Sequence, residues 1–220
     1  MIVVRELWKE YSGKNGMKVI ALRDVNLEIS RGEFVAIFGP SGSGKSTLLN
    51  CLSGVDKPTR GEVLINGVDI FKLSEEERTR FRARHMGFVF QFFHLVPVLT
   101  ALENVELPLL ILGCDRRTAR KKAMEMLERV GLAEKWDRFP GELSGGEKQR
   151  VAIARAIVHN PEIVWADEPT GALDYETGEM IINMLAELAG NTTVVVVTHD
   201  LRIAEKAHRI IKIRDGQVVQ

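Results

Sequence analysis

The stretch "FVAIFGPSGSGKST" (residues 34–47) joins a short apolar run to a glycine-rich loop that ends in Lys-Ser-Thr. Residues 39–47 satisfy the pattern G-x-x-x-x-G-K-[ST] between a predicted strand and a predicted helix, a combination that chance turns rarely produce. Backbone N–H groups of such a loop and of the helix N-terminus bind phosphate oxygens; Lys45 adds a positive charge, and the Ser46 hydroxyl can bind Mg²⁺. The predicted phosphate-binding residues are Gly39, Ser41, Gly42, Gly44, Lys45, Ser46 and Thr47.

Two further apolar runs end in the same way, at a polar cluster. "IVWA" (163–166) precedes "DEPTGALD", and "VVVVT" (194–198) precedes His-Asp. Continuous runs of this kind are typical of strands that are covered on both faces. Between them, residues 174–189 carry apolar side chains at helical spacing and stop at Gly190. The sequence therefore predicts an α/β domain with a mainly parallel central sheet, whose functional groups lie at the carboxyl ends of the strands.

The other segments predict two additions to this sheet. The first 30 residues, "GEVLINGVDI" and the final hairpin "RIIKIRDGQVVQ" are typical of short strands, which we expect to form a small antiparallel layer. Residues 92–160 carry helical patterns instead, among them "DRRTARKKAMEMLERVG" and "GEKQRVAIARAIVHNP". We therefore expect a single domain over residues 1–220, with a core formed by 1–91 and 161–220 and an all-helical subdomain at about 92–160.

Composition and charge narrow the class of protein. With 45% hydrophobic and 27% charged residues, the 220-residue chain is typical of a globular domain. Lys+Arg and Asp+Glu both number 30, so no overall charge favours nucleic acid, and we expect no nucleic-acid partner. The N-terminus lacks a signal-peptide pattern, and no stretch approaches the ~20 apolar residues of a membrane helix. Cys51 and Cys114 match no metal or redox spacing. We expect a cytoplasmic protein whose link to any membrane runs through a partner.

Two carboxylates follow the strand "IVWA". Asp167 at the strand tip is placed to hold Mg²⁺, directly or through water, and Glu168 could polarise a water for hydrolysis. An Asp-Glu pair alone is more often a solvated turn or a helix cap. The phosphate loop on a predicted neighbouring strand favours the catalytic interpretation.

Three more residues are candidates because of where they stand. Gln91 follows "MGFVF" and His199 follows "VVVVT", so both lie at predicted strand ends, where they could contact a γ-phosphate or orient water. Either residue could instead be an ordinary strand-end polar group. Tyr11, in a polar loop, could stack on an adenine ring.

The segment "LSGGE" (143–147) offers a second glycine-rich helix start. Ser144 and Glu147 fit the S-x-x-E capping box, in which each side chain satisfies a backbone N–H of the first helical turn. A capped helix N-terminus can also bind an anion, because free N–H groups point outward with the helix dipole behind them. The spacing alone does not decide between the two interpretations.

Taken together, and in this order, the motifs resemble the nucleotide-binding subunit of an ABC transporter from Tyr11 to Gly216. "GPSGSGKST" is similar to the Walker A loop of that family, "LSGGE" to its signature motif and "IVWADE" to Walker B. Within the family, "LTALENVELPL" and "DEPTGALD" are similar to the ATPases of macrolide-export and lipoprotein-release systems. Glu147 and Gly171 depart from the common Gln and Ser, and neither departure is expected to touch the chemistry.

The resemblance implies a role for each motif residue. Glu168 would be the catalytic base, His199 the switch histidine, Gln91 the Q-loop glutamine and Tyr11 the adenine-stacking residue. Ser46, Gln91 and Asp167 would hold the magnesium ion of Mg-ATP, and Asp174 would be the D-loop aspartate.

The family also implies partners. Its subunits form head-to-tail dimers, so Leu143, Ser144, Gly145, Gly146 and Glu147 would face the ATP that is bound to a second chain. An integral membrane permease would follow the closure of this dimer, which would place the subunit on the inner face of the cell membrane. One alternative is an ABC ATPase of DNA maintenance or translation, but the sequence lacks heptad inserts, tandem cassettes and basic surfaces. Another phosphate-loop enzyme, such as a GTPase, would lack any reason to carry "LSGGEKQR".

The segment "FQFFHLVPVLTALENV" is unusually apolar for a surface loop. We expect Phe92, Phe93, Leu95, Val96 and Leu99 to lie close together. They could form the core of the helical subdomain, or a groove that receives a short helix of the membrane partner, as the resemblance implies.

Overall fold

The central feature of the fold is a six-stranded sheet, seen in a computed structural model that describes residues 1–13 and 17–219. The strand order is β10-β9-β3-β8-β7-β6, and every neighbouring pair is parallel except β9 and β10. The strands are β3 (Phe34–Phe38), β6 (Met86–Phe90), β7 (Ile163–Asp167), β8 (Thr193–Thr198), β9 (Arg209–Arg214) and β10 (Gln217–Val219). The predicted fold class and the three strands predicted from continuous apolar runs are confirmed.

These apolar strands are covered on both faces. Along β7, Trp165 packs into one apolar cluster, while Val164 and Ala166 pack into a second cluster on the opposite face. Along β8, alternate valines divide between the same two clusters. Because neither face meets water, polar residues do not alternate along these strands, and the strand ends are left as the accessible part of the sheet.

A second, four-stranded antiparallel sheet lies beside the first, with the order β2-β1-β4-β5. Its strands are β1 (Ile2–Ser12), β2 (Lys18–Ile29), β4 (Arg60–Ile65) and β5 (Val68–Asp69). The antiparallel layer is therefore present, but β1 and β2 have 11 and 12 residues and are long rather than short.

The C-terminal hairpin does not belong to this layer, and that part of the prediction is wrong. Strand β9 pairs in parallel with β3, with Ile211 opposite Ile37, and β10 extends the same edge of the central sheet. Ile211 and Ile213 are buried, whereas Lys212 between them is exposed. A turn at Asp215-Gly216 predicts a hairpin, but it carries no information about which sheet edge the hairpin joins.

Seven helices complete the described part of the chain: α1 (Lys45–Leu52), α2 (Glu75–His85), α3 (Ala101–Ile111), α4 (Arg116–Arg129), α5 (Gly145–Ile157), α6 (Tyr175–Glu187) and α7 (Leu201–Lys206). Helices α3, α4 and α5 follow one another between β6 and β7, with two short 3₁₀ helices between α4 and α5. One apolar cluster continues from the sheet into these three helices. The subdomain boundaries near residues 92 and 160 therefore stay a prediction.

Helix α2 was not predicted, because none of its residues is buried and it lacks an apolar stripe. Its sequence signal is local: Ser74 and Glu77 form a capping box, with three glutamates in the first turn. None of the helices in residues 1–13 and 17–219 is long and apolar enough to cross a bilayer.

Candidate nucleotide site

A cleft of about 890 Å³ opens at the carboxyl ends of the central strands. Half of the predicted site residues line it: Ser41, Gly42, Gly44, Lys45, Ser46 and Thr47 from the glycine-rich loop and α1, and Gln91, Glu168 and His199 from three other strand ends. Parallel strands bring their carboxyl ends to one edge of a sheet, so residues more than 100 positions apart meet there.

The glycine-rich loop requires glycine at several positions. Gly42 and Gly44 have φ values of 77° and 100°, in the left-handed region that side chains disfavour. A Cβ on Gly44 would also lie 2.6 Å from the carbonyl oxygen of Ala21, and one on Gly39 would overlap the carbonyl oxygen of Ile213. No side chain caps the N-terminus of α1, which begins at Lys45. The loop can therefore present its N–H groups and the positive end of the helix dipole to an anion.

Lys45 is held inside this loop. Its Nζ donates hydrogen bonds to the carbonyl oxygens of Gly39 (2.9 Å) and Pro40 (3.0 Å), and lies 3.8 Å from Oε1 of Glu168. The Lys45 side chain is 8% exposed. A buried ammonium group with carbonyl partners and one nearby carboxylate is well placed to pair with a phosphate.

Ser46, which lines the cleft, and Asp167, which contacts Ser46 from behind the lining, form a pair that fits Mg²⁺. The Ser46 hydroxyl donates to Oδ1 of Asp167 at 3.0 Å, which joins the start of α1 to the end of β7. Burial raises the pKa of Asp167, and the nearby Glu168 carboxylate adds to this effect. A bound cation would offset this unfavourable charge, and hydroxyl and carboxylate oxygens are the ligands that Mg²⁺ prefers.

Gln91 lines the same cleft, and its position depends on Gly171. A Cβ on Gly171 would lie 2.7 Å from Nε2 of Gln91. Glycine at residue 171 therefore leaves room for the Gln91 side chain, and the expectation that this departure does not touch the site chemistry stays a prediction. The contact joins segments 80 residues apart, so the sequence alone does not reveal it.

Glu168 is held by the neighbouring strand β8. It has a strained φ of 45°, and its N–H donates to the carbonyl oxygen of Val197 at 2.9 Å. The Thr198 hydroxyl donates to Oε2 at 3.3 Å, and Nδ1 of His199 lies 2.9 Å from Oε1. The Glu168 side chain is 15% exposed, which is less than a solvated turn would show. Sequence reasoning did not single out Thr198, although its position at the end of "VVVVT" was a usable signal.

Tyr11 lies on β1 at the rim of the cleft rather than among its lining residues. It is opposite Val19 of β2, and Val19 lines the cleft. Its hydroxyl donates to Oδ2 of Asp56 at 2.7 Å, and burial together with this carboxylate raises the pKa of Tyr11 to about 12.

Sequence reasoning also missed Arg23 and Asp215, which line the cleft from β2 and the β9–β10 turn. Their residue types carried no signal without the tertiary structure.

The predicted capping box at the start of α5 is present. The Glu147 N–H donates to Oγ of Ser144 at 3.3 Å, and the Ser144 N–H donates to Oε2 of Glu147 at 2.8 Å. Lys135 pairs with Oε1 of Glu147 at 2.9 Å, and the hydrogen bond from the Ser144 backbone is the main cause of a lowered pKa at Glu147. A Cβ on Gly146 would overlap Cγ2 of Thr177, so α5 and α6 approach closely here.

The structure keeps "LSGGE" apart from the cleft of its own chain. Within the described ranges, none of residues 143–147 lines that cleft. Asp174 does not line it either: it is the N-cap of α6 and accepts hydrogen bonds from the N–H (3.0 Å) and hydroxyl (2.7 Å) of Thr177. The fold therefore separates two glycine-rich helix starts that the sequence presents as similar.

The apolar segment after Gln91 was expected to form either subdomain core or a partner groove, and its side chains have different surroundings. Phe92 is 68% exposed, Leu95 packs against the core, and Phe93 lies near Gly145. Phe93 and His94 adopt φ values of 62° and 46°, and their carbonyl oxygens accept hydrogen bonds from Arg155 at 2.8 and 2.6 Å. This turn redirects the chain, so periodicity could not place the side chains.

An apolar groove of about 480 Å³ lies nearby, between α2, β6, α3 and α5. Its apolar lining includes Phe88, Phe90, Leu107, Pro108 and Ile111, and His94 lines it as well. Arg82 and Arg155 also line it, and the lining contains no Asp or Glu. Burial lowers the pKa of both arginines, although both remain cations at neutral pH.

A parallel sheet with a phosphate loop, a Ser–Asp pair and a partly buried glutamate at its carboxyl edge defines a phosphate-loop nucleoside triphosphatase. Residues 22–171, which make up more than half of the chain, match the ABC transporter family. The chain belongs to the ABC transporter family, as an ATP-binding and ATP-hydrolysing subunit.

Individual relatives agree with this assignment. The chain is 47% identical to the lipoprotein-releasing system ATP-binding protein LolD of Legionella pneumophila, over 99% of this chain and 96% of that protein. It is 44% identical to the macrolide export ATP-binding/permease protein MacB of Bartonella quintana, over 100% of this chain and 33% of that protein. Its structure is similar to the dimeric, ADP- and Pi-bound cassette MJ0796 of Methanocaldococcus jannaschii, with a TM-score of 0.93, 47% identity and coverage of 100% and 97%. A role in DNA maintenance or translation is not favoured.

Proposed function

We propose that two copies of this chain close head to tail on two ATP molecules, each held between the cleft of one copy and residues 143–147 of the other. The observation that carries the proposal is the separation of "LSGGE" from its own cleft, although a glycine-rich helix start of this kind can bind an anion. The dimeric state of the Methanocaldococcus cassette, bound to ADP and Pi, supports it.

Within each site, the cleft residues divide into binding and catalytic groups. The N–H groups of residues 39–47 and the Lys45 ammonium bind the β- and γ-phosphates. Ser46 and Asp167, with Gln91, hold Mg²⁺, which when bound neutralises charge on the transferring phosphoryl group. Glu168 accepts a proton from the attacking water, and His199 holds the Glu168 carboxylate in place.

Tyr11 and the signature residues complete the site from its two sides. Tyr11 stacks on adenine at the rim, and Ser144 and Gly146 of the second copy bind the γ-phosphate. Glu147 keeps the Ser144 turn in shape through the capping box, while Leu143 is buried beneath it. Asp174 orders the start of α6, next to the dimer contact.

We propose that the membrane partner is an integral permease that docks in the apolar groove between α2, β6, α3 and α5. The groove accommodates a short amphipathic helix, and its Arg82 and Arg155 favour a carboxylate on that helix. This docking places the subunit on the inner face of the cell membrane. Its similarity to LolD and MacB favours a permease of the lipoprotein-release or macrolide-export type.

A mixing experiment tests the shared site. A chain with Lys45→Ala and a chain with Ser144→Arg each form inactive homodimers, because both sites carry the same lesion. In the mixed dimer, one site collects both lesions, and the other combines an intact Lys45 with an intact Ser144. We expect mixing to restore binding of a non-hydrolysable ATP analogue at one site per dimer.

The readout is equilibrium binding, supported by ATP-dependent crosslinking between cysteines placed beside Lys45 and Ser144. If each chain used its own Ser144, every site would keep one lesion and mixing would restore nothing. Crosslinks found only within a chain would overturn the head-to-tail dimer.

A further inference from the structure

A compact polar cluster lies at the rim of the nucleotide cleft, around Asp56. Oδ1 of Asp56 accepts a hydrogen bond from Nζ of Lys9 at 2.6 Å, and Oδ2 accepts one from the hydroxyl of Tyr11 at 2.7 Å. Lys9 Nζ also donates to the carbonyl oxygen of Lys57 at 2.7 Å. Both carboxylate oxygens are therefore engaged, one by a cation and one by a phenol.

This cluster ties the Tyr11 ring to the helix that follows the phosphate loop. Asp56 comes just after α1, and its N–H donates to the carbonyl oxygen of Asn50 in that helix at 3.0 Å. The Lys9 side chain is 11% exposed, so its ammonium group has little water to replace these partners. Removal of Asp56 would leave the Lys9 ammonium group poorly solvated and without its carboxylate, which favours the observed arrangement.

The same lysine also covers one face of the ring. Lys9 Nζ lies 4.8 Å from the centroid of Tyr11, a cation–π distance. Tyr11 is itself 41% exposed. The ring is thus fixed at its hydroxyl and over one face, while a substantial part of it stays open to a ligand.

We propose that Asp56 and Lys9 are positioning residues that hold the Tyr11 ring ready to stack on the base of the nucleotide. The inference rests on the proposed function, in which Tyr11 stacks on adenine. An aromatic ring that is already immobile loses little further freedom when the base binds, so the network raises affinity for the base-containing ligand. The phosphates bind elsewhere, at the loop, and do not need the network.

The test compares a ligand that has a base with one that has none. The purified chain is titrated with a non-hydrolysable ATP analogue and with inorganic triphosphate, both as magnesium complexes. We expect Asp56→Asn to raise Kd for the ATP analogue roughly three- to tenfold and to change Kd for triphosphate less than about twofold. Tyr11→Phe removes the same hydrogen bond, and we expect a similar selective effect with no further loss in the double variant.

The control variant is Glu62→Gln, which breaks the exposed Arg5–Glu62 pair in the same antiparallel sheet without touching Tyr11. Thermal unfolding of every variant checks that the chain is folded. If Asp56→Asn raised Kd equally for both ligands, Asp56 would act through α1 and the phosphate loop, and the proposal would be overturned. The proposal would also be overturned if Asp56→Asn left Kd unchanged for both ligands while Tyr11→Ala raised Kd for the ATP analogue. If Tyr11→Ala itself has no effect, the stacking role assigned to Tyr11 in the proposed function is wrong, and the inference built on it fails with it.

Discussion

Nδ1 of His199 lies 2.9 Å from Oε1 of Glu168, although the two residues are 31 positions apart in the sequence. The contact follows from sheet order, since β7 and β8 are parallel neighbours and Asp167 is opposite Val197. Thr198 and the His199 N–H also contact the Glu168 carboxylate, at 3.3 and 3.4 Å. These three contacts support the role of catalytic base that we propose for Glu168.

We expect Glu168→Gln to bind ATP but to hydrolyse it roughly 10²–10⁴-fold more slowly, because an amide cannot accept the proton of the attacking water. The unhydrolysed nucleotide should keep the dimer closed, which size-exclusion chromatography in ATP measures. Glu187→Gln, at the exposed end of α6, is the matched control and should leave turnover unchanged. Near-normal turnover in Glu168→Gln would contradict the assigned base.

Asp167 gives the stability of the nucleotide-free chain a defined pH dependence. Its pKa is raised in the folded chain, mainly by burial, so the folded chain holds the proton more tightly than the unfolded chain does. The stability from the protonated carboxyl is fully present below the unfolded pKa and is lost as pH rises through the raised folded pKa. At neutral pH, the ionised Asp167 carboxylate therefore destabilises the nucleotide-free chain.

We accordingly expect Asp167→Asn to raise Tm at pH 7 by roughly 2–4 °C without nucleotide, and to lose this advantage near pH 4. Calorimetry at several pH values measures the difference. With Mg²⁺ and an ATP analogue, the parent chain should have the higher Tm, because the asparagine is a poorer ligand for the cation. A Tm for Asp167→Asn below that of the parent chain at pH 7 would show that the carboxylate is stabilising there.

The tight contact between Gly146 and Thr177 predicts a packing effect that is separate from phosphate binding. We expect Gly146→Ala to lower the free energy of unfolding by about 1–3 kcal/mol, because its Cβ would overlap Cγ2 of Thr177. Gly145→Ala is the matched control, since its Cβ would meet its nearest neighbour, in Leu173, at 3.6 Å.

Thr177→Ser removes the methyl group that blocks the space at Gly146. In the Gly146→Ala background it should restore most of the lost stability, as measured by urea unfolding. If the double variant is no more stable than Gly146→Ala, the cost comes from the helix terminus and not from the contact with α6.

The groove predicts a variant that separates docking from hydrolysis. Ile111 lines the groove and is 66% exposed, so Ile111→Glu should leave the ATPase of the isolated chain within about twofold and the fold intact. We expect it to abolish co-purification with the permease from membranes, because a glutamate disrupts an apolar contact. Val98→Glu changes a residue that is 76% exposed and outside the groove, and should co-purify normally. Retained co-purification of Ile111→Glu would move the docking site elsewhere.

Local sequence patterns were sufficient to predict several elements of the fold and of the site. The three buried strands, the glycine-rich loop before α1 and the capping box of Ser144 and Glu147 could all be predicted. Each depends on backbone conformation and burial over a few consecutive residues, so neighbouring side chains are sufficient to specify it. The motif order was enough to place the chain in its family.

The tertiary structure alone decided which of these pieces meet. It placed β9 and β10 on the central sheet, held Tyr11 against Asp56, formed an apolar groove between α2, β6, α3 and α5, and kept "LSGGE" out of its own cleft. These relationships join residues tens of positions apart. They depend on strand order and helix packing, which arise from the burial of whole surfaces and leave no periodic mark in the sequence around either partner.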